Sequence, residues 1–224
     1  MRRSFHFGAS VAAQVLCASL LLGQAGYKVQ PTGPPSASDL PKSLLEALQD
    51  QGIRLVDDKG NAASELWFLK SVPLASSSSA SSDAVYPALS VGRLVAVLHF
   101  PGAGSDFRGQ SIKPGYYTLR YAQIPKDGNH MGVNPYPDFL LLSPAATDTQ
   151  VDAVLKLDDL LKLSRQASGT PHPAVLSLVP TSQGASFPSV VQDDQGHWVV
   201  QVKLPGQGQD VPIALVLVGQ TSAG

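Results

Sequence analysis

Residues 189–204 read SVVQDDQGHWVVQVKL. Trp198, Val200, Val202 and Leu204 alternate with Val199, Gln201 and Lys203, and a polar centre holding Asp194 and Gly196 precedes them. Alternation on the two sides of an Asp- and Gly-bearing turn predicts an antiparallel hairpin. Residues 53–74, IRLVDDKGNAASELWFLKSVPL, repeat the design. They predict a strand over 53–57, a turn on Asp58 and Gly60, and a second strand near 65–70. The two D-D-x-G segments lack the D-x-D-x-D-G spacing and closing Glu of a calcium loop, so they are turns.

Outward from these hairpins the chain offers RLVAVLHF at 93–100, GYYTLRYA at 115–122, DFLLLS at 138–143, AVLSLVP at 174–180 and VPIALVLVG at 211–219. About eight short strands separated by turn signals, without alternating helices, predict an all-β fold of two packed antiparallel sheets, an immunoglobulin-like or prealbumin-like β-sandwich. Two helices accompany it. SDLPKSLLEALQDQG, 38–52, places Leu40, Leu44, Leu45 and Leu48 on one face and predicts a short amphipathic helix docked on the sheet. KLDDLLKLSRQASG, 156–169, predicts a second short helix in a crossover connection, capped at Asp158 and stopped by Gly169.

The 224 residues are 43% hydrophobic, enough for one sizeable core. Sixteen basic residues nearly balance 17 acidic ones, and no basic run follows the start, which argues against a nucleic-acid partner. Arg2 and Arg3 precede an apolar stretch from about Phe7 to Leu22, then Gly23, Gln24 and Ala25. This is the anatomy of a signal peptide over 1–25 cleaved after Ala25; an uncleaved leader would be the only membrane contact. The single cysteine, Cys17, falls inside that leader, so the exported chain would fold without disulfides. Residues 26–38, rich in Pro and Ser, predict a flexible tether, and 39–224 a single domain with the helix at its start.

Nucleophilic and nucleotide chemistry find little support. There is no G-x-S-x-G elbow, and FPGAGSDFRGQS at 100–111 fits neither phosphate-binding glycine pattern. His99, His172 and His197 stand alone, without an H-x-H or H-E-x-x-H pair, so no metal and no cofactor is implied. The densest group of polar side chains is PKDGNHMGVNPYPDF, 125–139, with Asp127, His130, Tyr136 and Asp138. Its Gly, Asn and Pro content predicts successive turns whose side chains bond to their own backbone. Arg120 alternates with Tyr116 and Thr118 on a face expected to meet solvent. It has the alternative of joining Asp106, Arg108 and Asp138 in a charge-assisted cluster at one end of the fold.

The Pro114–Gly115 turn in IKPGYYTLRYAQIPKDGNHMG resembles the edge of prealbumin-like and carboxypeptidase-regulatory-like sandwiches, which are mostly noncatalytic. From RGQSIKPG through YPDFLLLSPAATDT to ASGTPHPAVLSL the chain resembles a group of secreted bacterial proteins with no assigned activity, so no catalytic residue carries over. Two functions follow as expectations. The first is a noncatalytic exported module that binds an envelope protein or polysaccharide, with Asp127, His130, Tyr136, Asp138, Arg108 and Arg120 as its surface. The alternative is a hydrolase or metal-dependent enzyme with its site in the 125–139 loop.

Overall fold

The computed structural model describes residues 26–36, 38–75, 83–124 and 136–221. The expected leader, most of the Ser-rich run at 76–83, and Asp127 and His130 lie outside them. In chain order the elements are β1 (Tyr27–Thr32), α1 (Lys42–Ala47), β2 (Gly52–Asp57), β3 (Ala62–Phe68), β4 (Leu94–Phe100), β5 (Gly104–Ser105), β6 (Ser111–Ile112), β7 (Gly115–Gln123), β8 (Asp138–Pro144), α2 (Leu157–Ser168), β9 (Val175–Val179), β10 (Ser189–Gln192), β11 (Trp198–Leu204) and β12 (Val211–Val218).

The fold is all-β with two helices, as the alternation predicts. The two-sheet division is replaced by one ten-stranded sheet in the order β1-β2-β3-β4-β7-β8-β9-β12-β11-β10, antiparallel throughout. β9 is the reason. Its Val175, Leu176 and Ser177 pair with β8, while Leu178 and Val179 pair with Leu215 and Ala214 of β12. One five-residue strand thus turns the corner that would otherwise separate two sheets. At the far edges β1 approaches β10, and the Tyr27 ring meets Trp198 edge-on at 5.4 Å, so the sheet nearly closes on itself.

A continuous core fills the interior, with Leu66, Leu98, Leu119, Leu140, Leu178 and Leu215 all essentially inaccessible. Each such leucine is worth about 2–5 kcal/mol against truncation to alanine. Tyr86 acts as a crossbar where β9 is short. Its hydroxyl donates to the Val179 carbonyl at 2.5 Å and accepts from the Ala214 amide at 2.9 Å.

The tether expectation fails over 27–32. That segment is β1, paired residue by residue with β2 from Tyr27↔Asp57 to Thr32↔Gly52. Pro31 is tolerated because β1 lies at the end of the ladder. The next residues also dock: the Trp67 indole N–H donates to the Gly33 carbonyl at 2.8 Å, and the Ser36 amide to the Tyr116 hydroxyl at 3.3 Å. α1 seats Leu40, Leu44 and Leu48 in the core, although no side chain caps it. α2 packs Leu160 against Phe139 and Leu141 and ends at Gly169 in the left-handed conformation, φ 66°. Asp158 is not its cap; Lys156 holds that position, and Asp158 and Asp159 lie in the first turn.

Three turns share one chemistry: DDKGN at 57–61, DFRGQ at 106–110 and DDQGH at 193–197. In each, the first Asp accepts from the amides two and four residues on: Lys59 and Asn61, Arg108 and Gln110, Gln195 and His197. The glycine takes φ of 80–84°, and its amide donates back to the Asp carbonyl. The fifth side chain then donates to the second carboxylate oxygen: Asn61 at 3.1 Å, Gln110 at 2.8 Å, and His197 Nδ1 at 2.9 Å. This is a tight turn with a glycine bulge, cross-braced by a carboxylate. The Asn61 side chain and then its amide hold the Asp57 carboxyl below its ordinary range.

Candidate functional site

The described members of the expected surface fall in separate places. Asp138 is fully buried at the start of β8, where its carboxylate accepts from the Val85 amide at 2.9 Å, the Tyr86 amide at 3.0 Å and the Tyr121 hydroxyl at 2.6 Å. It does accept backbone N–H groups, but it meets neither Arg120 nor Arg108. The register explains why: Gln123 pairs with Asp138 and Tyr121 with Leu140, so Asp138 shares its face with odd-numbered residues of β7 and Arg120 points the other way.

Arg120 is not on a solvated face. It is wholly buried under the segment 148–153 and forms a bidentate pair with Asp148, Nε to Oδ2 at 2.7 Å and Nη2 to Oδ1 at 2.8 Å. The rest of the guanidinium donates to the carbonyls of Gly92 at 2.9 Å, Ala153 at 2.8 Å and Gln150 at 2.5 Å. Thr118 adds a hydroxyl bond to Asp148 at 2.6 Å. A bidentate Arg–carboxylate cluster therefore exists, but its acid is Asp148, and its task is to fasten a loop to β7. Arg108 is exposed in the second braced turn, away from that cluster.

Of the expected residues that the structure describes, Tyr136 lines an open cleft. The cleft, of about 530 Å³, is shared with Phe107, Val199 and Val216, and with Asp193, Asp194, Gln195 and His197 of the third braced turn. The floor is formed by Phe107, Val199 and Val216, which pack with Ala214 in a small apolar cluster. His197 stands over it: its ring meets Phe107 edge-on at 5.4 Å, Nδ1 lies 2.9 Å from Asp193, and Nε2 lies 3.0 Å from the Gln220 carbonyl. Both ring nitrogens are thereby occupied, and neither is free to act as a general base toward the cleft. Asp193 is consumed by its turn, whereas Asp194, the next residue, is exposed at the rim.

Ionisation follows burial. Burial pushes the Tyr86 hydroxyl up to about 12. Tyr121 is driven further in the same direction, first by burial and then by its bond to Asp138. Neither tyrosine can shed its proton cheaply near neutral pH, so both serve as donors. Among the described residues no three His, Cys, Asp or Glu side chains gather as a metal-binding set. Among the other aromatic residues, Trp67 is buried and Trp198 packs on Tyr27, while Tyr116 stacks on His99 with centroids 4.2 Å apart.

Sequence reasoning missed Phe107, Asp148, Asp193 and His197. The repeated D-x-x-G-polar spacing would have found two of them, Asp193 and His197, and would have placed Phe107 between two braces. Asp148 carries no local signal. No family model, curated protein or solved structure matches the chain.

Proposed function

We propose that this chain is an exported, noncatalytic module of the bacterial envelope that binds a polysaccharide in the cleft beside the 193–197 turn. One observation carries the reading: a concave apolar floor made by Phe107, Val199 and Val216 is edged by Tyr136, Asp194 and Gln195 on a turn that is itself rigidly braced. An apolar floor with a few polar side chains at its edge is the usual composition of a ligand site. A sugar ring offers that surface its complement, with apolar C–H faces for the aromatic rings and hydroxyls for the carboxylate and amide. The noncatalytic half leans on Asp138, Asp148 and Asp106, whose carboxylates are each occupied by internal donors. The export half leans on Arg2, Arg3 and the apolar run behind them. In this reading the corner at β9 flattens the nearly closed sheet into two faces, sandwich-like, and makes it a stiff support.

The test is calorimetric titration of the folded domain with purified envelope polysaccharides, beside Tyr136→Ala and Asp194→Asn. Each substitution should weaken binding about tenfold, the equivalent of 1.4 kcal/mol, at unchanged melting temperature. Binding that ignores both substitutions would remove the cleft from the reading. Release of new reducing ends during the titration would make the protein a hydrolase instead.

A further inference from the structure

The backbone nitrogen of Gly26 lies 2.5 Å from Oδ2 of Asp58, the second residue of the first braced turn. The carboxylate crowds the glycine, since a Cβ on Gly26 would stand 2.9 Å from its other oxygen. The next residue, Tyr27, begins β1 and packs on Trp198 of β11 across the seam where the sheet nearly closes. The Asp58 carboxylate thus holds the chain at the residue before β1, next to the seam.

Gly26 is also the residue that the expected leader cleavage would leave first. We propose that processing between Ala25 and Gly26 completes the fold: the new α-ammonium of Gly26 is captured by Asp58, and this ion pair fastens β1 along the seam. The step is a hydrolysis by a leader peptidase. One water adds across the Ala25–Gly26 peptide bond; Ala25 leaves with the carboxylate, and Gly26 keeps the amine. A free α-amino group titrates near about 8, so the amine takes up a proton at neutral pH. A single amide N–H facing Asp58 becomes a cation with three N–H donors, and the bond becomes charge-assisted.

The geometry favours this use of Asp58 over an ordinary turn role. Asp57 does the bracing, accepting from Lys59 and Asn61, and leaves its neighbour free to reach the strand end. In the third turn the corresponding Asp194 meets no such strand end and stands exposed at the cleft. The inference rests on the export half of the proposed function and is independent of the polysaccharide.

Two measurements test it. Protein recovered from the envelope fraction of its native host should show Gly26 as its amino terminus by mass spectrometry; an exported chain beginning elsewhere overturns the capture while leaving export intact. Protein prepared to begin at Gly26 is then compared with its Nα-acetylated form, with Asp58→Asn, and with the acetylated Asp58→Asn form, by hydrogen exchange of the β1 amides at low and high salt. Acetylation and Asp58→Asn should each speed exchange of the Lys28, Gln30 and Thr32 amides severalfold, the two together should do little more than either alone, and high salt should shrink the difference. Exchange rates in β1 that are indifferent to acetylation, or effects that simply multiply, would overturn the proposal.

Discussion

Replacing Asp148 by alanine strands a charge that the fold has taken entirely out of water. Arg120 has no exposed side-chain surface and Asp148 has 1%, so solvent cannot stand in for the missing carboxylate without opening the 148–153 segment. Two bonds from the guanidinium, at 2.7 and 2.8 Å, and one from Thr118 at 2.6 Å disappear together. Bonds to charged groups are each worth about 1.5–3 kcal/mol. Breaking one side of a buried pair costs about 3–5 kcal/mol, which agrees with the loss of the two guanidinium bonds. For a domain of this size the fall in melting temperature is then roughly 6–20 °C. The paired substitution Arg120→Met with Asp148→Leu is the informative control. It removes both charges but leaves the carbonyls of Gly92, Gln150 and Ala153 without their donor, at about 1–3 kcal/mol for each, so it should lose at least as much as the single change. Urea unfolding gives both numbers from midpoints at constant slope. A loss under about 1 kcal/mol for Asp148→Ala, or a double variant as stable as the unsubstituted protein, would show that the loop yields and that Arg120 and Asp148 do not hold it.

Three further outcomes follow from the same geometry. Asp138→Ala leaves the Val85 and Tyr86 amides and the Tyr121 hydroxyl without their acceptor and should lower stability by about 1–3 kcal/mol in thermal unfolding. Gly92→Ala puts a Cβ 2.0 Å from the Leu155 carbonyl oxygen at φ +88°; it should cost about 3 kcal/mol or more and appear as lost soluble yield and a lowered melting temperature. Tyr86 binds its proton more tightly folded than unfolded, so its share of stability is complete below the unfolded value near 10 and drains away as pH rises to about 12. Tyrosinate absorbance should therefore rise together with unfolding in that window, and Tyr86→Phe should make the alkaline fall shallower.

Much of the fold is legible as short apolar or alternating runs between turn signals. β2, β4, β7, β8, β9, β11 and β12 fall within a residue or two of where those runs place them, because each has neighbours on both sides and most bury both faces. β1 escapes because an end strand with Pro31 has a half-exposed pattern that composition cannot tell from a linker. The single sheet escapes for another reason: it depends on how five residues of β9 divide their hydrogen bonds between β8 and β12, and periodicity is blind to partners. Arg120 shows the same limit at one residue. Alternation correctly sets it opposite Leu119 and Tyr121, but the cover that makes this face an interior comes from Asp148, Gln150 and Ala153, about thirty positions later in the chain. Of the cleft, Tyr136 is legible within the polar 125–139 stretch, whereas Asp193, Asp194 and His197 sit in a turn that the sequence shows only as backbone punctuation.

The braced turns explain why the cleft carries its chemistry where it does. In D-x-x-G-polar, the first and fifth side chains are spent on each other and the fourth position is reserved for a glycine at positive φ, so only the second and third positions are free to vary. The second position is Asp58 in the first turn, Phe107 in the next and Asp194 in the third. Asp58 holds the amide of Gly26, Phe107 forms the apolar floor under His197, and Asp194 stands at the edge of the same cleft. Rigid scaffolding and variable chemistry are thus one residue apart, and the second-position side chains of two different turns meet at one opening. In the proposed function, the braced backbone under Asp194 would lose little conformational freedom when a hydroxyl or amine donor arrives, which is the condition under which a single exposed acid contributes to affinity rather than to solubility.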